Sequence, residues 1–284
     1  HESFQGELTL SNLTERLKWL AAPLLIFVVQ FSLFRAPIGV VINGAVLGLI
    51  TALVALAMFL IYRSNRVLNF AQGEFGLIPA VLSVMLIVES GWPWLLALLV
   101  GAVASVLLGG ATEFLIIRRF FRAPRLILTV ATLGLAQILA FNALRMPLWW
   151  NARVTSQRID SPLDWVWDVG PVRLSADHLL VLIIVPLVLL AIGALLRYTN
   201  LGIAVRAAAE LPDRAVSLGI PVKSVHTLIW GIAGLLAFLA LFLRAGVIGL
   251  PVGGSLGFGL LLRALAALMI GRLNHLPTIL VSSI

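Results

Sequence analysis

The order of apolar and polar residues gives long apolar runs separated by short polar, largely basic connections. Runs of this length without strand punctuation read as helices, because lipid offers no partner to an open backbone group. The runs are Trp19–Phe34, Pro37–Tyr62, Val67–Val88, Trp92–Ile117, Leu126–Leu144, His178–Leu196, Val225–Leu243 and Leu256–Gly271, and a ninth begins near Pro277 and stops at Ile284. The expected fold is an all-α, polytopic transmembrane helix bundle of about eight helices plus a truncated ninth, with broken or re-entrant segments. Two stretches break the pattern. Asn69–Gly76 (NFAQGEFG) sets Asn69, Gln72 and Glu74 at the head of an apolar run, and Gly246–Gly259 is glycine-rich around Pro251. Irregular backbone at membrane depth survives only inside protein or beside a water cavity, and broken helices often border a substrate route. For the second stretch a plain interfacial loop is the alternative.

Composition supports the same class. The chain is 61% hydrophobic and 11% charged, with mean hydropathy +1.09. A soluble domain is roughly 45–50% apolar and about 25% charged. With no cysteine, disulfides, zinc–thiolate sites and thiol catalysis are excluded. The net charge of +8 would raise nucleic-acid binding in a soluble protein. Here the basic residues fall between apolar runs, so the anionic membrane face is the simpler partner and no nucleic acid is implied.

The charges also orient the chain. One set of connections carries Arg63, Arg66, Arg118, Arg119, Arg122, Arg125, Arg197, Arg206, Arg214 and Lys223 against Glu210 and Asp213. The other carries Arg35, Arg145, Arg153, Arg158 and Arg173 against Glu89, Asp160, Asp164, Asp168 and Asp177. The basic set is therefore cytoplasmic, and the N-terminal segment with Arg16 and Lys18 lies inside as well. The long outer connection, 145–177, holds Trp149, Trp150, Trp165 and Trp167, which suit an interfacial belt or a docking surface. Residue 1 is His, which fits a tag remnant, a trimmed end or a fragment. The Trp19–Phe34 run is followed by Arg35 and Pro37 with no small-residue cleavage pattern, so it reads as an uncleaved first helix.

Candidate chemistry is sparse. No GxxxxGK[ST] sequence occurs, so the chain carries no P-loop of its own. Gly253-Gly254-Ser255-Leu256-Gly257 matches G-x-S-x-G but lacks the strand–turn–helix context of a hydrolase elbow. The histidines His1, His178, His226 and His275 are isolated, so neither catalytic nor metal residues are assigned. Gly44-x-x-x-Gly48 permits close helix approach. Ionisable residues within apolar runs need a reason. Glu113 precedes Arg118 at a spacing that suits a structural ion pair at the cytoplasmic end. Glu74 is either buried among helices or in contact with substrate. Arg263 snorkels or pairs, and Arg244 ends its helix as an outer anchor. Thr199–Lys223 is a cytoplasmic connection with an alanine-rich, helix-capable stretch (Ile203–Leu211), Pro212-Asp213, and a second short run ending at Gly219. Arg206 and Glu210 are spaced to pair on one helix face, and the alanines beside them leave a smooth surface able to enter a partner's groove. A solvated loop is the alternative.

These residues resemble the permease subunits of branched-chain amino acid ABC importers, a group that extends to ribose-type sugar permeases. Leu68–Glu74 (LNFAQGE) looks like the family's (I/L)NFA(H/Q)GE signature. Glu113 to Arg118 is similar to its acidic-then-basic pattern, and Thr129–Gln137 (TVATLGLAQ) to its IATxGLS-like helix. Thr199–Ile220 looks like its coupling loop, with Gly202, Arg206, Ala207, Glu210, Ala215, Gly219 and Ile220 in matching places. Leu262–Gly271 with Pro277 resembles its LKAFAAxxLGGLGSxPG region, except that Arg272-Leu273-Asn274-His275 replaces the usual Gly-Leu-Gly-Ser turn.

The resemblance implies a transport subunit, not an enzyme, in a bacterial inner membrane. Residues 1–36 would be an N-terminal segment with an extra membrane helix, and 37–284 a permease domain incomplete at its C-terminus. Asn69, Gln72, Glu74, Thr129, Thr132 and Gln137 would border the substrate path. The implied partners are the lipid bilayer, a second permease subunit or fused permease half, two cytoplasmic ATPase subunits and an extracytoplasmic solute-binding protein. ATP and Mg would be used by the ATPases, with no cofactor on this chain. Rival readings are a self-contained secondary transporter or channel, and a membrane-embedded hydrolase using Ser255.

Overall fold

The computed structural model describes residues 28, 37–120, 123–152, 156–159, 161–163, 165–210, 212–251, 256–271 and 276–283. Apart from Val28, the expected helix Trp19–Phe34 falls outside them, as do the tetrad Arg272–His275 and Ser255 of the G-x-S-x-G match. In chain order the elements are α1 (Ile38–Asn65), α2 (Gln72–Phe75), α3 (Leu77–Val88), α4 (Trp94–Leu115), α5 (Arg125–Arg145), β1 (Ser156–Gln157), β2 (Val166–Val169), β3 (Val172–Ser175), α6 (Ala176–Tyr198), α7 (Asn200–Glu210), α8 (Pro212–Ser217), α9 (Val222–Ile248), β4 (Leu250–Pro251), α10 (Leu256–Ile270) and α11 (Leu276–Ser283).

Proline punctuates the bundle. Pro37, Pro93, Pro124 and Pro221 stand immediately before α1, α4, α5 and α9. A proline there gives up an N–H that the first turn could not satisfy anyway. α6 starts differently: the Ser175 N–H donates to His178 Nδ1 at 3.1 Å, closing a capping box.

Among the described residues, five helices are long and apolar enough to cross a membrane: α1, α4 with its 3-10 extension to Phe120, α5 with its extension to Trp150, α6 and α9. This is fewer than the expected eight. The third run, Val67–Val88, holds the four-residue α2 and then, after Gly76, α3 with only 12 residues, and α10 has only 15. The spans are not equivalent. The most apolar window of α1 is 83% buried within the chain and that of α9 72%, against 11% for α6. α1 and α9 therefore form the core, and the outer spans turn leucine, valine and isoleucine away from it. Hydrophobic side chains can face outward in this way only towards lipid or another protein.

The two ends of the bundle differ. At one end Arg118, just beyond α4, reaches the carbonyl of Lys223 at the start of α9. The end of α1 and the α7–α8 segment lie at this basic end as well. At the other end Arg158 Nε donates to the carbonyl of Gly246 near the end of α9 at 3.1 Å. Gly39, in the first turn of α1, sits so close to the carbonyl of Val169 that a Cβ would overlap it.

The expected all-α bundle is observed, with two short strand pairings added at this second end. β2 and β3 form a hairpin closed by Gly170 (φ 63) and Pro171, with Val169 opposite Val172. Glycine at the first of two loop positions is the local signal for such a turn. β1 pairs with β4, which occupies part of the glycine-rich stretch. α9 runs on to Ile248, so Arg244 is a half-buried residue inside it and not the terminal anchor expected.

Candidate functional site

The break between α1 and α3 is built by side chains that stand in for the missing helix bonds. Asn69 is 1% exposed. Its Oδ1 accepts the Ala71 N–H at 3.0 Å, and its Nδ2 donates to Gln72 Oε1 at 3.0 Å. Gln72 Nε2 in turn donates to the Ala233 carbonyl of α9 at 3.0 Å. The Phe70 N–H donates to Thr132 Oγ1 of α5 at 3.2 Å, and that hydroxyl donates to the Thr129 carbonyl at 2.7 Å. Two separate elements, α5 and α9, thus converge on a backbone that would otherwise leave polar groups bare at membrane depth.

Glycine lets the break sit deep. A Cβ on Gly73 would overlap the carbonyl of Gly257 in α10, and one on Gly76 would overlap the carbonyl of Ala237 in α9. α2 is wedged between those two backbones, an approach that only glycine permits. A Cβ on Gly257 would likewise overlap Glu74 Oε1, so the carboxyl group lies against the first turn of α10. Glu74 Oε2 is buried without a hydrogen-bond partner. Of the six path candidates, Asn69, Gln72 and Thr132 are thus held together and Glu74 adjoins them. Thr129 is half-buried one turn before Thr132. Gln137 stands apart on the exposed stripe of α5 formed by Leu126, Val130, Leu133, Phe141 and Leu144.

Glu113 and Arg118 meet at the basic end, with Arg118 Nη2 3.1 Å from Glu113 Oε2. Thr227 of α9 closes the cluster: Arg118 Nη2 donates to Thr227 Oγ1 at 2.8 Å, and that hydroxyl donates to Glu113 Oε2 at 2.6 Å. Arg118 also lies over the Phe114 ring, 4.9 Å from its centroid. Thr227 was not foreseen, because its partners lie more than a hundred residues away in sequence and no local pattern links them.

The connection 199–220 is folded, not solvated. The Thr199 hydroxyl accepts the Gly202 N–H at 3.3 Å at the head of α7. Gly202 lies against the Leu196 carbonyl at the end of α6, where a Cβ would overlap it. Arg206 Nη1 donates to that same carbonyl. This corrects the expected Arg206–Glu210 pair: an α6 carbonyl that has run out of helix partners recruits the guanidinium instead. The alanines are corrected too. Ala208 and Ala215 are buried against Val222, with Ala207 and Ile220 partly covered beside them. They hold α7 and α8 together and do not form an outer surface. The outer surface is made by Ile203 (56% exposed), Val216 (61%), Leu218 (80%), Glu210 and Arg214. Gly219 takes the positive φ of 81° that turns the chain back towards α9.

No group of three or more histidine, aspartate or glutamate residues suited to a metal occurs among the described residues.

Known proteins give a consistent comparison. Residues 40–284 match the family described as branched-chain amino acid transport system, permease component. The chain is 27% identical over 248 residues to the high-affinity branched-chain amino acid transport system permease protein LivH of Escherichia coli K12, covering 83% of this chain and 79% of that one. The LivH of Salmonella typhimurium is 26% identical over the same shares. A probable branched-chain amino acid transport permease protein LivH of Methanocaldococcus jannaschii is 27% identical over 256 residues, 85% of this chain and 76% of the relative. No solved structure gives a significant match.

Proposed function

The chain belongs to the family of branched-chain amino acid transport system permease components, and we propose from this premise that it is the membrane-spanning permease subunit of an ABC importer that carries branched-chain amino acids into the cytoplasm. ATP is hydrolysed by separate cytoplasmic subunits, and an extracytoplasmic binding protein delivers the solute. Leucine-type amino acids follow from the names of the relatives.

The observation that carries this reading is the folded segment at the basic end. A helix pair pinned to α6 by Gly202 and Arg206 turns Ile203, Val216 and Leu218 outward beside Glu210 and Arg214. Apolar side chains on a rigid polar-rimmed platform fit a protein partner, here the ATPase. ATP-driven movement of that partner would press on α7 and α8, then on the ends of α6 and α9 to which they are joined.

The path runs between this subunit and a second permease half. Gln137 supports this, since it is the polar member of an otherwise apolar outward stripe. Thr129 lies towards that side of α5. Asn69, Gln72, Glu74 and Thr132 act beside the path as a fixed elbow joining α5, α9 and α10. The basic end faces the cytoplasm of a bacterial inner-membrane protein. Leu163 and Arg119 are both exposed, at opposite ends of the bundle. With no native cysteine, an impermeant thiol reagent on intact cells labels a cysteine placed at Leu163 and spares one placed at Arg119; the reverse inverts the orientation.

Transport itself is tested in proteoliposomes holding this chain, its permease partner, the ATPases and the binding protein. Leucine uptake is expected to require ATP and the binding protein. Uptake by this chain alone, down a gradient and without ATP, would establish a self-contained carrier instead.

A further inference from the structure

A cavity of ≈ 220 Å³ lies between the break and the basic end, lined by residues of α1, the break, the α4–α5 connection, α5 and α9. Its polar lining comes from Asn65, Asn69, Thr132 and Trp230, and no lining residue among those described is charged. Two of the four have their hydrogen bonds met within the protein. Asn69 uses its Nδ2 on Gln72 and its Oδ1 on Ala71. Thr132 Oγ1 donates to Thr129 and accepts from Phe70. The other two each hold a buried side-chain atom with no partner: Asn65 Oδ1, an acceptor, and Trp230 Nε1, which can only donate. The rest of the wall includes Val67, Ile117 and Leu128.

We infer that this cavity is a binding site for a small uncharged solute that carries one hydrogen-bond acceptor and one donor beside a branched apolar group, as a primary amide does. The acceptor takes the Trp230 Nε1–H, the donor meets Asn65 Oδ1, and the apolar group lies on Val67, Ile117 and Leu128. The reasons are energetic. A buried donor or acceptor left unmet costs its full desolvation, so a ligand that meets both recovers that cost on binding. An ion entering among these neutral described groups would lose its hydration and gain no opposite charge from them. The site lies inside one chain, whereas the proposed transport path runs between two permease halves, so it is a separate site. Its occupant would bridge α1 and α9, the two core helices.

The test uses the full chain in lipid nanodiscs, without ATPase or binding protein, so its outcome is independent of the transport assay. Isovaleramide is titrated by calorimetry, with isovalerate and leucine as charged counterparts of similar apolar shape. The unaltered chain is expected to bind the amide at a single site and to bind isovalerate and leucine at least tenfold more weakly, about 1.4 kcal/mol. Trp230→Phe keeps the ring and removes the donor, and should weaken amide binding roughly tenfold. Trp165→Phe, in the exposed hairpin, should change nothing. Absence of amide binding to the unaltered chain means that the cavity holds water only and overturns the proposal. Equal binding by Trp230→Phe, or leucine binding as tight as the amide, overturns it as well. If Trp230→Phe does not fold, Asn65→Ala tests the other half of the pair, and the ligand series on the unaltered chain still decides.

Discussion

The elbow at Asn69–Gly76 and the platform at Thr199–Ile220 are both polar interruptions between apolar helices, and they are finished in opposite ways. Both use glycine to approach a carbonyl, at Gly73 and Gly76 in one and at Gly202 in the other. Both also recruit a side chain to a backbone acceptor, through Gln72 on Ala233 and Arg206 on Leu196. The elbow is then closed off inside the chain: Asn69, Gln72, Gly73 and Phe75 are buried, and its amides are spent on one another and on the neighbouring helices at Ala233 and Thr132. The platform instead leaves Leu218 80% exposed and Val216 61% exposed. The difference teaches where each segment's energy goes. An elbow at membrane depth must satisfy its own backbone or not exist, whereas a platform in water can keep apolar surface for a partner.

Changes to the elbow should therefore damage the protein itself, and the largest effect is expected at its glycines. Gly73→Leu and Gly76→Val each force a side chain into a backbone, in α10 and α9 respectively. The cost should reach about 3 kcal/mol or more, enough to abolish a monodisperse peak in gel filtration. Gly44→Ala and Gly134→Ala, which meet nothing within 4 Å, are controls and should keep it. Normal assembly of Gly73→Leu would mean that α2 is not wedged between two backbones.

Next comes the platform, where the effect should fall on the partner and spare the fold. Val216→Asp with Leu218→Asp should leave helix content and melting unchanged, because both side chains already face outward. Co-purification of the ATPase should fall roughly tenfold or more, and ATP-driven leucine uptake with it. Wild-type ATPase recovery from this double variant would detach the platform from any coupling role.

The smallest effect sharpens the comparison within the elbow. Gln72→Leu removes the donor to Ala233 and leaves Asn69 Nδ2 without its acceptor. The expected loss is about 1–3 kcal/mol, with folding retained and uptake reduced. Gln72→Glu keeps the acceptor for Asn69 and should recover part of the stability in denaturant titrations. Equal melting of Gln72→Leu and the parent would show that the amide network is incidental.

Much of this was legible in the sequence. Long apolar runs announce the spans because each must satisfy its own backbone, and the residues flanking the break announce it because Asn69, Gln72 and Glu74 have no business facing lipid. The platform was legible as a helix pair for the same local reasons. What the sequence hid was direction. Alanines at 207, 208 and 215 are compatible with an outer surface or an inner seam, and only packing against Val222 turns Ala208 and Ala215 inward. Arg206 stood one helical turn from Glu210, yet the bare Leu196 carbonyl took it. Gln137 was grouped with Thr132 because both belong to the family-like segment Thr129–Gln137, and five residues of helix rotate it to another face. The β2–β3 hairpin was hidden by the tryptophans around it, although Gly170-Pro171 between alternating segments carried the turn signal.

The account's central claim is that the platform receives the ATPase, and site-directed cross-linking tests it most directly. The chain has no cysteine, so a single one can be placed at Leu218, at Val216, or at Trp149 on the opposite end of the bundle as a control. In membranes containing the assembled complex, a short bifunctional thiol reagent should join the cysteines at 218 and 216 to an ATPase subunit carrying one cysteine on its membrane-facing surface. The yield should change when ATP is added, and the cysteine at 149 should give no product. Failure of 216 and 218 to cross-link across a panel of ATPase positions, in a complex that still hydrolyses ATP and takes up leucine, would contradict the claim.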